Sequence, residues 1–197
     1  KHPVARRYFT LSVDLAGQAH DPALAGHTLR AMAHQDIELG RIREAVELAE
    51  RSVSGRPYEV ACPRERSLFG VVHARALAAA GLNGGASAAL LRAEDDLRKA
   101  SPGDDEPGRV YFFSEASLAH ETGRTLFSGG DVRGAESALS RSVRVRAKQP
   151  FARTHAVTLG YLGEAQAARG NLDQACATWS DALDAMDGVR SARARQT

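Results

Sequence analysis

The chain has 197 residues, and its 26 Lys and Arg against 24 Asp and Glu leave a formal charge of +2, too balanced for a polyanion- or membrane-binding surface built on charge alone. Apolar residues at 43% and charged ones at 25% belong to a folded protein rather than a disordered tail. Two cysteines, Cys62 and Cys176, without paired spacing supply neither a disulfide framework nor a thiolate metal site, and they fit a reducing cytoplasm.

Period-2 alternation is almost absent, whereas apolar residues recur at i, i+3, i+4 and i+7 in nearly every window. The pattern predicts helices over 3–19, 22–39, 42–54, 64–80, 84–100, 110–128, 131–146, 151–169, 172–186 and from 189 onward. Turn signals separate them: His20-Asp21-Pro22, Gly84-Gly85 and Gly129-Gly130-Asp131. Two loops are expected, one from Ser54 to Pro63 and one from Ser101 to Gly108, where proline, glycine and aspartate break helices. No stretch approaches the roughly 18 apolar residues of a membrane span. Arg6-Arg7-Tyr8-Phe9 has the look of a twin-arginine signal, but Asp14 and Gln18 interrupt the apolar core it would need.

Self-similarity is the main signal. Gly40, Gly81, Gly130 and Gly170 are each followed five residues later by alanine (Ala45, Ala86, Ala135, Ala175), then by Ala49, Leu90, Leu139 and Trp179, then by Ser52, Ala93, Ser142 and Ala182. Small residues, Ala33, Ala74, Gly123 and Gly163, stand seven before each glycine. A truncated copy, Ala5, Phe9 and Ser12, makes the alanine spacings 40, 41, 49 and 40. Such spacing describes a helical hairpin: glycine allows a left-handed turn, the small residues let two helices approach closely, and the large residue fills the gap between hairpins. Trp179 is therefore expected in the interior, and Cys176 as a small buried hydrophobe.

These residues resemble the tetratricopeptide repeat, most fully in Leu162-Gly163, Gly170, Ala175, Trp179 and Ala182, and Pro57 falls where that repeat often closes with proline. The period near 40 instead of 34 and the missing first-helix tyrosine depart from the family pattern. The resemblance implies an all-α, right-handed superhelix of antiparallel hairpins forming one domain over 1–197: a partial hairpin at 1–19, then 22–54, 64–100, 110–146 and 151–186, with a capping helix at 189–197. The Ala/Arg-rich repeats, with His34-Gln35-Asp36-Ile37-Glu38-Leu39-Gly40 and Phe112-Phe113-Ser114-Glu115-Ala116, are also similar to the C-terminal part of actinobacterial helix-turn-helix transcription regulators. That likeness implies a DNA-binding domain upstream of Lys1, so that DNA is contacted only through a domain not present in this chain.

In a superhelix of this kind the first helices line the concave face, at positions 13, 10 and 6 before each turn glycine. Those positions hold His27, Arg30 and His34; Leu68, Val71 and Arg75; Ser117, His120 and Arg124; and Val157, Gly160 and Glu164. The groove so inferred is cationic, suited to an acidic peptide, a protein segment or a small anionic ligand gripped by arginine. A homodimer through end or convex faces is also compatible with a solenoid. The run from Ser140 to Gly163, with Arg141, Arg144, Arg146, Lys148 and Arg153 and no acid, reads as a solvated convex face, since interleaved aromatics are missing. The sequence contains no phosphate loop, and His120-Glu121 is followed by Thr122, Gly123 and Arg124 instead of a zincin pattern. His27 and His34 lie about 10 Å apart along one helix face, too far for a shared metal ion. With no nucleophile paired to a base, the sequence predicts a non-catalytic binding domain without metal or cofactor, either a regulator's sensor or a constitutive scaffold.

Overall fold

A computed structural model describes residues 2–101, 105–146 and 151–186. Among the described residues are ten α-helices: α1 (His2–Gln18), α2 (Pro22–Glu38), α3 (Ile42–Ser52), α4 (Gly55–Val60), α5 (Pro63–Ala79), α6 (Asn83–Lys99), α7 (Glu115–Ser128), α8 (Val132–Arg146), α9 (Ala152–Ala168) and α10 (Leu172–Asp184). A 3-10 turn covers Gly108–Val110, and no strand occurs among the described residues. The expected helix beyond residue 189 lies outside them.

The turn glycines behave as their spacing predicts. Gly40, Gly81, Gly130 and Gly170 have φ between +71° and +87°. In each turn the following N–H reaches back to a carbonyl five residues earlier, as in Arg41 N to Asp36 O at 2.9 Å and Asn171 N to Gln166 O at 3.0 Å. This doubly bonded helix end needs a residue in the left-handed region, which glycine enters without steric cost. A fifth turn of the same kind follows α1, where Asp21 N bonds Ala16 O at 2.9 Å, and His20 supplies the positive φ of +53°. The Asp21 side chain then caps α2 by accepting from Leu24 N at 2.9 Å, with Pro22 at the first helical position.

Contacts divide the chain into two compact units that meet in sequence between Phe113 and Ser114. In the first unit α2 packs against α1, α3, α4 and α5, and α5 against α3 and α6. Ala33, Ala45, Ala49, Ala74 and Ala93 are fully buried. The central helix α5 is enclosed on every side, Ser67 to Ala78 being buried without interruption. In the second unit α7 pairs with α8, α8 with α9, and α9 with α10. A Cβ at Gly123 would come within 2.5 Å of Leu139 Cγ, so helices α7 and α8 approach as closely as their backbones allow.

Three local expectations need correction. The segment from Ser54 to Pro63 is not only loop, because Gly55–Val60 forms α4, whose Pro57 sits against the space a Cβ of Gly26 would fill. Helix α7 begins at Glu115, not near 110: Val110 and Phe113 are buried at 0% and 1% exposure as anchors of a non-helical entry, which leaves Tyr111 outside at 77%. Cys176 is exposed, not buried. Trp179 retains 36% exposure, yet it does fill the seat between hairpin helices, with Nε1 donating to Gly160 O at 3.1 Å.

Candidate functional site

On the first unit the predicted face begins with α2. Arg30 Nη2 donates to His27 Nε2 at 2.9 Å, which leaves the proton of the neutral ring on Nδ1, a buried atom without a hydrogen-bond partner. The ring meets Phe69 edge-on, with centroids 6.4 Å apart. Burial, then the charges of Arg30 and Arg109, push the His27 pKa down to about 4, so at neutral pH it adds no charge to this face. One turn on, His34 Nε2 lies 3.8 Å from Glu38 Oε1, the carboxylate that also accepts from Arg75 Nη2 at 2.9 Å.

The α5 side of this face is closed. Leu68, Val71 and Arg75 are 4%, 0% and 5% exposed, so these three predicted groove residues offer a ligand almost no surface. Helix α5 is covered by α2, α3 and α6, which accounts for their burial. With His27 neutral and Arg75 paired to Glu38, the positive charge expected on this face is reduced.

The His27 shift has a measurable consequence. Its folded-state pKa lies below the unfolded value of 6.5, so between about 4 and 6.5 the unfolded chain binds the extra proton. The stability linked to neutral His27 is present above pH 6.5 and is lost as pH falls toward 4. A His27→Gln variant is expected to flatten the urea-denaturation profile across that window by on the order of 2 kcal/mol, and identical profiles would contradict the burial of a neutral ring.

On the second unit the predicted residues converge on an aromatic that the offsets passed over. The Arg124 guanidinium of α7 lies 3.6 Å from the centroid of the Tyr161 ring on α9, within cation–π range. His120 meets the same ring at 5.7 Å between centroids, and its Nδ1 lies 2.9 Å from Thr158 Oγ1. Glu164, exposed on α9, has its carboxyl pKa raised by desolvation and drawn back by the nearby Arg124 charge. Ser117 on α7 and Val157 on α9 are half-buried, whereas Gly160 is buried and gives its carbonyl to Trp179, so it belongs to the hairpin seat and not to an open face. Tyr161 directly precedes Leu162-Gly163, and Glu38 stands two before Gly40; both flank repeat landmarks, and that adjacency was the available signal.

The basic run is partly absorbed into structure. Arg141 pairs with Glu115 at 2.9 Å, and Arg146 is buried with its pKa lowered by that burial, while Arg144 and Arg153 remain exposed and Lys148 lies outside the described residues. Among the described residues no group of three or more His, Cys, Asp or Glu could hold a metal ion. No helix among them is long and apolar enough to cross a membrane.

No family model matches the chain, and neither does any curated protein. Solved structures do. A point-substituted form of the kinesin light chain nearly identical TPR-like repeats of Podosopora anserina superposes with a TM-score of 0.59 at 20% identity, covering 100% of this chain and 95% of that one. A second structure of those repeats gives 0.57 at 22% identity, over 96% and 95% of the two chains. Together with the five glycine or histidine turns and the small-residue hairpin seams, this likeness establishes an all-helical tetratricopeptide-like repeat fold.

Proposed function

We propose that the chain is a non-catalytic domain that binds an acidic peptide or protein segment on the α7–α9 face of its second unit, and that it acts as the regulatory C-terminal part of a bacterial transcription regulator. The observation that carries the binding reading is the stacking of Arg124 on Tyr161. A guanidinium whose Cζ stands 3.6 Å over an aromatic ring keeps N–H groups at its edge for an acceptor, and Arg124 forms no hydrogen bond among the described residues. The side chain is thus oriented before a ligand arrives, which removes part of the entropic cost of gripping a carboxylate. The regulator reading is supported by the Ala/Arg-rich repeats of the sequence. In it, ligand binding shifts the population of repeat-domain conformations by its differential affinity for them, and this shift alters a linked DNA-binding domain.

Calorimetric titration with a synthetic Asp/Glu-rich dodecapeptide tests the binding step. Arg124→Glu is expected to weaken binding at least tenfold, about 1.4 kcal/mol, and Arg124→Lys to weaken it less. Equal affinity of wild type and Arg124→Glu, or no binding to wild type, would refute the assignment. For the regulator step, the full-length gene product should change its DNA affinity when the peptide is added. A DNA affinity indifferent to peptide marks the chain as a constitutive scaffold.

A further inference from the structure

The first unit contains a cavity that the first-helix faces do not use. On α5, Gly70 and His73 lie about half a helical turn away from Leu68, Val71 and Arg75, on the opposite side of the helix. There a space of about 190 Å³ opens between α3, α4, α5 and α6, with Val53, Ala89 and His73 in its wall and Tyr58, Arg92 and Asp96 also lining it. The last three are shared with a shallower outer depression, which makes them the rim between cavity and solvent. His73 is only 8% exposed, and its Nδ1 is buried without a hydrogen-bond partner. Burial lowers its pKa, so it is a neutral polar group awaiting a partner. Asp96 is 6% exposed and accepts from the Tyr58 hydroxyl at 2.6 Å, which fixes the carboxylate at the rim. Arg92 stands one turn before Asp96 on α6, is exposed, and makes no hydrogen bond or ion pair among the described residues.

Opposite charges one helical turn apart would ordinarily bond each other. Here they do not, and a space walled by Val53, Ala89 and Ala93 as well as by the unsatisfied His73 lies beside them. We propose that this cavity binds a free α-amino acid: its carboxylate on Arg92, its ammonium on Asp96, and its side chain passing between Val53 and Ala89 toward His73. The inner space of about 190 Å³ is below the roughly 300 Å³ at which drug-sized sites begin, which suits the side chain of an amino acid. A lone carboxylate would leave Asp96 uncompensated, and a lone amine would leave Arg92 so.

The test is saturation-transfer NMR and calorimetry on the whole chain with the twenty free amino acids, using butyrate and butylamine as single-charge controls. At least one amino acid is expected to bind with a Kd in the millimolar range or tighter, and the controls at least tenfold more weakly. Arg92→Glu, which changes an exposed side chain, should lower affinity at least tenfold with an unchanged thermal melt. Asp96→Asn, which keeps an acceptor for Tyr58, gives an independent reading of the same loss. Arg124→Glu, in the other unit, should leave amino-acid binding intact, which separates this site from the peptide face. Absence of binding by every amino acid at millimolar concentration, equal binding of the controls, or undiminished affinity in Arg92→Glu and Asp96→Asn overturns the proposal.

Discussion

Alanine in place of Glu65 is expected to lower the unfolding free energy by about 2–4 kcal/mol and the melting temperature by about 5–15 °C. Glu65 is 1% exposed, near the start of α5. One carboxylate oxygen accepts from Arg109 Nε at 2.7 Å, and the other accepts from Cys62 N at 3.4 Å, closing the helix N-terminus. Its neighbour Arg64 makes a crossing pair, donating to Glu106 at 2.6 Å and to the Phe113 carbonyl at 2.8 Å. Two adjacent residues of α5 thereby fasten the chain between Glu106 and Phe113, including the buried anchors Val110 and Phe113. Loss of Glu65 leaves a small void and the Cys62 N–H without its acceptor, and among the described residues it leaves Arg109 with Asp21 at 3.8 Å. Because the Arg109 side chain is 27% exposed, water recovers part of the loss, which places the cost below that of a fully buried broken pair. Glu65→Gln retains an oxygen for Arg109 and should lose about half as much. Urea denaturation followed by far-ultraviolet circular dichroism measures all three proteins, and coincident midpoints would show that this anchoring contributes nothing.

The hairpins were readable because their determinants are local and steric. Gly40, Gly81, Gly130 and Gly170 announce left-handed turns, and the alanine five residues on announces a close helix pair; both follow from backbone geometry that few other residues satisfy. His20 adopts the same conformation, but a non-glycine residue carries no comparable mark. Helix α4 was hidden because Gly55 and Pro57 ordinarily signal a break, whereas here they occupy the first turn of a six-residue helix, where proline is tolerated. The openness of the candidate ligand positions was not legible. A periodic pattern groups Leu68, Val71 and Arg75 on one side of α5, and it does not say that α5 has neighbours on all sides. Charge was less legible still: His27 reads as ionisable near neutral pH, and burial beside Arg30 and Arg109 lowers its pKa to about 4. The Arg124–Tyr161 stack joins residues 37 apart in sequence, a pairing that comes from tertiary packing.

Valine in place of Gly163 should cost the second unit about 2–4 kcal/mol and shift tryptophan emission to the red. Trp179 is the one tryptophan in the chain, so its fluorescence reports on this hairpin alone. The indole rests against Gly163, and Gly160, about one turn earlier on α9, supplies the carbonyl that its Nε1 bonds. A Cβ at Gly163 would come within 2.5 Å of Trp179 Cδ1, and closer still to Nε1. The indole is a rigid plane and cannot yield by a rotation at its tip, so the ring must leave. Its departure breaks the bond from Nε1 to Gly160 O, removes the aromatic surface that packs on α9, and exposes a side chain already 36% accessible. Gly163→Ala carries the same clash with less bulk and gains helix propensity of up to about 1 kcal/mol, so it should fall between wild type and valine. The ranking matters more than either value. If alanine proves neutral or stabilising and the emission stays blue, the indole is not seated against Gly163, and the repeat register that aligns Gly163, Gly170, Ala175 and Trp179 loses its strongest support. If emission shifts in step with stability across the series, the close approach of α9 and α10 is fixed by the absence of a side chain at this position.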